Sequence, residues 1–172
     1  MKSALIACVT LGLFGCAARP ALVTVPHIEL ARMEGTWYVT HHIPYWLEEG
    51  KVATADVYKL RPDGRMDNTF VFRRGNFDAP EESWHGVAWV HDTTTNAHWK
   101  VRFVWPLSVD YLIIDQDPGY AWVAVGHPSR DYFWILSRTR QLPPATVDGI
   151  MTRAVAQGYD RGRFAAVPQP AE

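Results

Sequence analysis

Few side chains in this sequence are equipped for chemistry, and the most suggestive stand in two neighbouring runs. His41 and His42 sit side by side in "TWYVTHHI", and Asp56 sits in "ATADVYKL". Successive strand residues point to opposite faces, so the two histidines cannot chelate one metal together. Counting in twos from Trp37 and Val39 puts His41 on the inner face. Thr54, Asp56, Tyr58 and Leu60 share a face in the next run. A buried carboxylate must be paired, hydrogen-bonded or protonated. Two readings of Asp56 stay open. Either neighbouring Tyr, Trp or His side chains or a wet rim satisfy it, or His41 and Asp56 meet across the strands and hold a polar headgroup. The same pair, as general base and orienter, would be the machinery of an enzymatic alternative. Asp115 raises the same question as Asp56. His85, His91, His98 and His127 lie in or beside exposed runs and read as solvent-facing.

Other chemistries lack their residues. There is no Gly-rich phosphate loop, no nucleophile elbow and no His-x-x-x-His pattern. Cys8 and Cys16 are the only cysteines, so the chain beyond them has no disulfide, thiol nucleophile or cysteine-based metal site. Lys plus Arg total 17 against 18 Asp plus Glu, without a basic run, which argues against nucleic acid as a partner. The expectation is a protein that is not an enzyme and has no metal or cofactor.

The N-terminus reads as an export signal. Lys2 precedes "ALIACVTLGLFG", an apolar run too short to span a bilayer but suited to a signal-peptide core. Leu13-Phe14-Gly15-Cys16 resembles the lipobox of bacterial lipoproteins. Residues 1–15 are then a lipoprotein-type signal peptide, Cys16 is acylated, and residues 16–26 form a lipidated tether ahead of one domain over 27–172. Ordinary cleavage after Ala18 is the alternative. In the lipoproteins it resembles, Ala17 rather than Asp after the cysteine goes with sorting to the outer membrane.

The elements that must position these side chains are strands. Eight β-like runs follow between about Thr36 and Arg138, at roughly ten-residue spacing, separated by turns such as Arg61-Pro62-Asp63-Gly64 and Asp117-Pro118-Gly119. Short links and the lack of a crossover helix imply consecutive antiparallel pairing. In "WKVRFVWP", Trp99, Val101, Phe103 and Trp105 share a face, with Lys100 and Arg102 on the other. Phe70 and Phe72 share a face, as do Tyr132, Trp134, Leu136 and Arg138. With eight Trp, seven Tyr and seven Phe, one face is strongly aromatic. A helix follows Pro143-Pro144, with Val147, Ile150, Met151, Ala154 and Val155 on its apolar stripe, and "GRFAAV" adds a short last strand. The fold class is therefore all-β: an eight-stranded antiparallel up-and-down β-barrel with one C-terminal α-helix packed outside.

Three motifs in register give that barrel a family. Gly35-Thr36-Trp37-Tyr38 resembles the signature that opens the first strand of lipocalins. Asp117 to Tyr120 resembles their second signature, between strands six and seven, and "WILSRT" with Arg138 resembles the third. "RPDG" and "DYFWILSR" are similar to the bacterial lipocalins in particular, which are outer-membrane lipoproteins that bind fatty acids and lysophospholipids. The resemblance implies that Arg138 lies across Trp37 and closes the barrel as structure rather than catalysis. It also implies a lipid or small hydrophobic ligand, a membrane held through the anchor, a role in envelope maintenance, and a homodimer among the expected states. The pocket-lining candidates are Val39, His41, Asp56, Tyr58, Phe70, Phe72, Val101, Phe103, Trp105, Tyr111, Ile113, Trp134 and Leu136. A barrel packed shut by its own aromatics, with its surface serving as an interaction module, is the remaining alternative.

Overall fold

The computed structural model describes residues 19–171, so the expected signal peptide, the expected lipidation site Cys16 and the alternative cleavage site at Ala18 lie outside the described residues. Eight strands succeed one another: β1 (Gly35–His42), β2 (Lys51–Leu60), β3 (Met66–Arg74), β4 (Glu82–Asp92), β5 (His98–Val104), β6 (Leu107–Gln116), β7 (Trp122–Gly126) and β8 (Phe133–Ser137). Each pairs antiparallel with the next, and β1 pairs with both β2 and β8, which closes the sheet into a barrel. Helix α1 (Pro144–Ala156) and the two-residue β9 (Ala165–Ala166) follow, β9 pairing with the upper half of β1. The up-and-down barrel with one outer helix is the architecture expected from the spacing of the runs.

Alternation builds two cores from one wall. The inner cluster gathers Trp37, Val39, Tyr58, Phe70, Phe72, Trp99, Val101, Tyr111, Ile113 and Leu136. The outer cluster gathers Ile43, Ala124, Phe133 and Ile135 against Val147, Ile150 and Ala154 of α1 and against Tyr159. In β8 the split is residue by residue: Trp134 and Leu136 join the inner cluster, Phe133 and Ile135 the outer one. Burying one such side chain contributes roughly 1.5–3 kcal/mol, so both faces of β8 are strongly fixed. The α1 stripe is narrower than expected. Val147, Ile150 and Ala154 are buried, but Val155 is 39% exposed and falls off it.

The strand directions define two ends. The β2–β3, β4–β5 and β6–β7 turns lie at one end, here the base; the β1–β2, β3–β4, β5–β6 and β7–β8 loops lie at the other, here the mouth. Between β1 and β2 the ladder covers only Gly35–Tyr38. Above it the strands part, and the C-terminal tail fills the seam. Ala53 N donates to Pro168 O (2.8 Å), Val167 N to Thr40 O (2.9 Å), and the Gln169 amide to both Val39 O (2.9 Å) and Thr54 O (2.8 Å). Backbone groups that a continuous ladder would have paired are thereby satisfied.

Residues 19–26, expected to act as a tether, are laid along the wall. Arg19 Nη1 donates to Ser129 O (2.6 Å) and Arg130 Nη2 to Pro20 O (2.5 Å), both in the β7–β8 loop at the mouth. Leu22 and Val25 are buried, Val25 N bonds Ile113 O (3.0 Å), and Ile28 N reaches Thr95 O (2.8 Å) in the β4–β5 turn at the base. A short 3-10 helix, Leu30–Met33, then leads into β1.

Candidate functional site

The base is built first, because it decides whether the barrel is a tube or a cup. Trp37 is fully buried and its indole N–H donates to Met33 O (2.7 Å). The Arg138 guanidinium lies over the Trp37 ring, with Cζ 3.7 Å from the centroid. Its fork donates to Thr36 O (2.9 Å), Arg32 O (2.7 Å) and Glu34 O (2.9 Å), so one side chain ties the 3-10 helix to β1. Gly35 explains why the strand opens on glycine. Its φ is +91°, and a Cβ there would sit 3.4 Å from Arg138 Nη1. Tyr120 completes the seal: its hydroxyl accepts from Glu29 N (2.8 Å) while Arg32 stacks on its ring at 4.1 Å. Asp117 holds the turn beneath, accepting from Gly119 N (2.8 Å) and Ala121 N (3.1 Å). Tyr38 points outward, under Arg140 at 4.8 Å. The crevice among Leu30, Met66, Ala88 and Trp99 is too narrow to admit water. This end is shut.

Above the base the interior is lined by rings in mutual contact. Trp99 stacks on Tyr111 (5.8 Å) and meets Tyr58 edge-on (5.8 Å); Phe70, Phe72 and Trp84 form a second group at 5.0–5.8 Å. Tyr132, Trp134 and Tyr111 form a ladder leading toward the mouth. Within this apolar interior lies one polar patch. Tyr58 and Tyr111 share a hydrogen bond (2.8 Å), and burial raises both phenols well above their usual range. Asp56 faces inward opposite Trp37 and Phe70. Burial, then the charge of Glu48, pushes its carboxyl up to about 7, while bonds from Asn68 and Tyr58 pull it down. Asn68 Oδ1 is buried and has no partner among the described residues. Near neutral pH Asp56 is thus partly protonated, a hydrogen-bond donor as well as an acceptor.

At the mouth the β1–β2 loop folds inward. Glu48, 8% exposed, accepts from His42 Nδ1 (2.8 Å), the Tyr45 hydroxyl (3.1 Å) and the Trp134 indole (3.3 Å). Lys51, equally buried, donates to Leu47 O and places its ammonium 4.5 Å above Trp84 and 4.8 Å above Phe72. Desolvation, then Arg74, lowers the Lys51 pKa. The mouth therefore sets a carboxylate with its donors, and the cations Lys51 and Arg74 over aromatic faces, above an apolar interior. That arrangement suits a molecule with a polar head and a greasy tail.

Ten of the expected lining residues come together around this interior: Val39, Asp56, Tyr58, Phe70, Phe72, Val101, Tyr111, Ile113, Trp134 and Leu136. His41 does not. A bulge between Val39 and His41 shifts the register, so Val39 faces Leu136 while His41 faces Ile135, an outer-core residue. One extra residue in the strand reverses the side-chain count beyond it. His41 consequently lies in an outer groove of about 540 Å3 beside Val147 and Met151 of α1 and Ala166 of β9. Burial, then His42, lowers its pKa. The pairing of His41 with Asp56 is thereby overturned, and His42 with Glu48 occupies the inner position. Trp105 is also displaced: it caps the β5–β6 turn and is 79% exposed. Phe103 sits at the inner lip, 39% exposed, over the bare backbone of Gly86, where a Cβ would come 2.8 Å from its ring. Asp115 faces outward and accepts from Arg153 Nε of α1 (2.7 Å).

Glu48 and Tyr45 were missed because loop residues carry no periodicity to count, and Lys51, which opens β2, because a register shift between Val52 and Ala55 separates it from the run that alternates. The visible signal was Trp134, whose inward indole needed an acceptor. Among the described residues no group of three or more His, Cys, Asp or Glu is arranged to hold a metal.

Residues 28–169 match a family described as "Lipocalin-like domain". The outer membrane lipoprotein Blc of Escherichia coli (strain K12) is 30% identical over 87% of this chain and 84% of its own. Temperature-induced lipocalin-1 of Arabidopsis thaliana is 30% identical over 84% of this chain and 81% of its own. Apolipoprotein D of Macaca fascicularis is 28% identical over 78% and 74%. Among solved structures, insecticyanin from the tobacco hornworm Manduca sexta superposes with a TM-score of 0.70 at 16% identity, covering 88% of this chain and 86% of that one. That last likeness is one of fold alone.

Proposed function

This chain belongs to the lipocalin family, and from that premise we propose that it binds single amphiphiles, fatty acids or lysophospholipids, at the bacterial outer membrane in envelope maintenance. Binding of small hydrophobic molecules follows from the family and from relatives that include an outer membrane lipoprotein and an apolipoprotein. The finer reading is carried by one observation: an apolar, ring-lined interior, sealed at its base, that ends in the His42–Tyr45–Glu48–Trp134 cluster beside Lys51. An acyl chain would enter by parting these rings, leaving a charged or zwitterionic head at the mouth. Each buried methylene contributes about 0.8 kcal/mol, so ten supply roughly 8 kcal/mol before the costs of immobilisation and of separating the rings. Before those costs this corresponds to about micromolar affinity, so a longer acyl chain is needed to hold that value once they are subtracted.

Nothing in the site performs a reaction in this account. His41 and Asp56, the pair an enzymatic reading needs, lie on opposite faces of the wall. Export, acylation of Cys16 and attachment to the outer membrane, more naturally on its periplasmic side, complete the proposal; kinship with Blc supports them.

The mutual contact of the interior rings favours a second reading, a barrel filled by its own side chains. Mass spectrometry of organic extracts from natively purified protein separates the two. Co-purified fatty acids or lysophospholipids support the carrier. An empty preparation that also fails to take up a fluorescent acyl probe supports the filled barrel.

A further inference from the structure

Large apolar side chains are not scattered over this surface. Ten are exposed among the described residues, and only Val23 and Val155 lie away from the mouth. The others sit on three mouth loops or their flanks: Trp46 (79% exposed) and Leu47 on the first, Phe77 on the second, and Val104, Trp105 (79%) and Leu107 on the β5–β6 hairpin, with Phe103 and Val109 beside them. Residues 103–109 are seven consecutive exposed positions, "FVWPLSV", without a charge. The base contrasts with this. Its turns carry Arg61, Asp63, Arg65, Thr94 and Asn96, and none of the exposed large apolar residues. Several charges around the mouth are paired among themselves, Arg74 with Glu82 (2.8 Å), Arg73 with Glu81 (3.6 Å) and Arg163 with Asp131 (3.1 Å), while Glu49 and Asp78 are exposed on the first and second loops.

The course of the chain selects the partner. Arg19 and Pro20 are fastened to the β7–β8 loop, so the described chain begins at the mouth rather than the base. Cys16 is three residues further on, and three residues span at most about 10 Å. If Cys16 is acylated as proposed above, its anchor would therefore lie within about 10 Å of the rim.

We infer that the mouth of the barrel docks on the lipid bilayer, with Trp46, Leu47, Trp105 and Leu107 seated in its interfacial layer and the interior opening toward the lipids. The orientation rests on the anchoring read above; the apolar rim is an independent observation. Seating is shallow, because irregular loops cannot leave their backbone groups unpaired in hydrocarbon, and tryptophan favours the headgroup level. A lipid would pass between bilayer and interior without crossing open water.

The test uses full-length protein recovered from membranes of a Gram-negative host and reconstituted in phosphatidylethanolamine–phosphatidylglycerol vesicles with brominated acyl chains. Tryptophan quenching is compared between wild type and Trp46→Phe/Trp105→Phe. Two of the eight tryptophans lie on the rim, so wild type should lose up to about a quarter of its emission and the variant almost none. Equal quenching of both proteins, or none in either, overturns docking. Acyl-probe uptake, measured in parallel, keeps the two readings apart. Uptake with equal quenching overturns docking and leaves the carrier; the quenching difference without uptake supports docking and overturns the carrier. In Trp105→Asp/Leu107→Asp, quenching should fall to the level of the Phe variant while probe affinity stays within about twofold.

Discussion

The two ends of the barrel are made of the same residue types used in opposite ways. At the base, Trp37 is buried under Arg138, and three backbone carbonyls take the guanidinium protons. At the mouth, Trp46 and Trp105 face outward, while Lys51 lies over Trp84 and Phe72 and Glu48 is held by three donors. The base joins the 3-10 helix, β1 and the end of β8 through short, satisfied contacts, and it cannot open without breaking several at once. At the mouth the inward-folded β1–β2 loop is held largely by one carboxylate, Glu48. A cup needs this difference: rigidity where water must be kept out, and few contacts where a ligand must pass.

The harshest way to break the contrast is Trp37→Ala. Removing a fully buried indole from the floor should cost about 3–5 kcal/mol, read as a lower urea midpoint, and should abolish acyl-probe binding as the base floods. A comparable truncation at the mouth, Trp105→Ala, should leave the midpoint within about 0.5 kcal/mol of wild type, because that side chain is already exposed.

Asp56 gives the next largest effect, and its sign depends on pH. Its carboxyl titrates near the ordinary 3.8 when unfolded and near 7 when folded. The folded state therefore holds an extra proton between these values. Stability is greatest below about 4 and is lost as pH rises through 7. Asp56→Asn removes that loss. Denaturant melts should show the variant more stable than wild type at pH 8, by on the order of 4 kcal/mol, with the advantage vanishing near pH 4.

How far the sequence reaches is clearest at these two ends. The base was legible because Gly35, Trp37 and Arg138 are fixed by hard constraints, a positive φ, a large buried ring and a fork of donors. These leave residue types that can be read directly. The lining was legible wherever alternation held, as in Phe70, Phe72 and Trp134, Leu136. It failed at His41, because a bulge at Thr40 has no mark in residue type yet reverses the inward face, and at Trp105, because alternation was carried past the end of β5. The mouth cluster was invisible for a related reason: Glu48 belongs to a loop whose path is set by the His42 and Trp134 side chains it meets.

Arg138→Lys sharpens the account of the base. The charge over Trp37 stays, but the fork cannot reach three carbonyls, and a loss of about 2 kcal/mol is expected in chemical melts. Among the buried positions, the smallest effect should come from Glu48→Gln, about 1 kcal/mol in stability. It has a distinctive mark, however. Glu48's charge helps raise the Asp56 carboxyl, so the pH at which stability falls should move down in the variant.

Calorimetric titration of delipidated protein with a long-chain fatty acid, repeated at several temperatures, tests the central claim most directly. A barrel sealed at its base that takes the tail among its rings predicts one ligand per barrel, affinity of about micromolar or tighter, and a binding heat capacity that is clearly negative as apolar surface leaves water. Saturable binding without a negative heat capacity, or no binding at ligand concentrations of about 100 μM, would show that the tail does not enter the barrel.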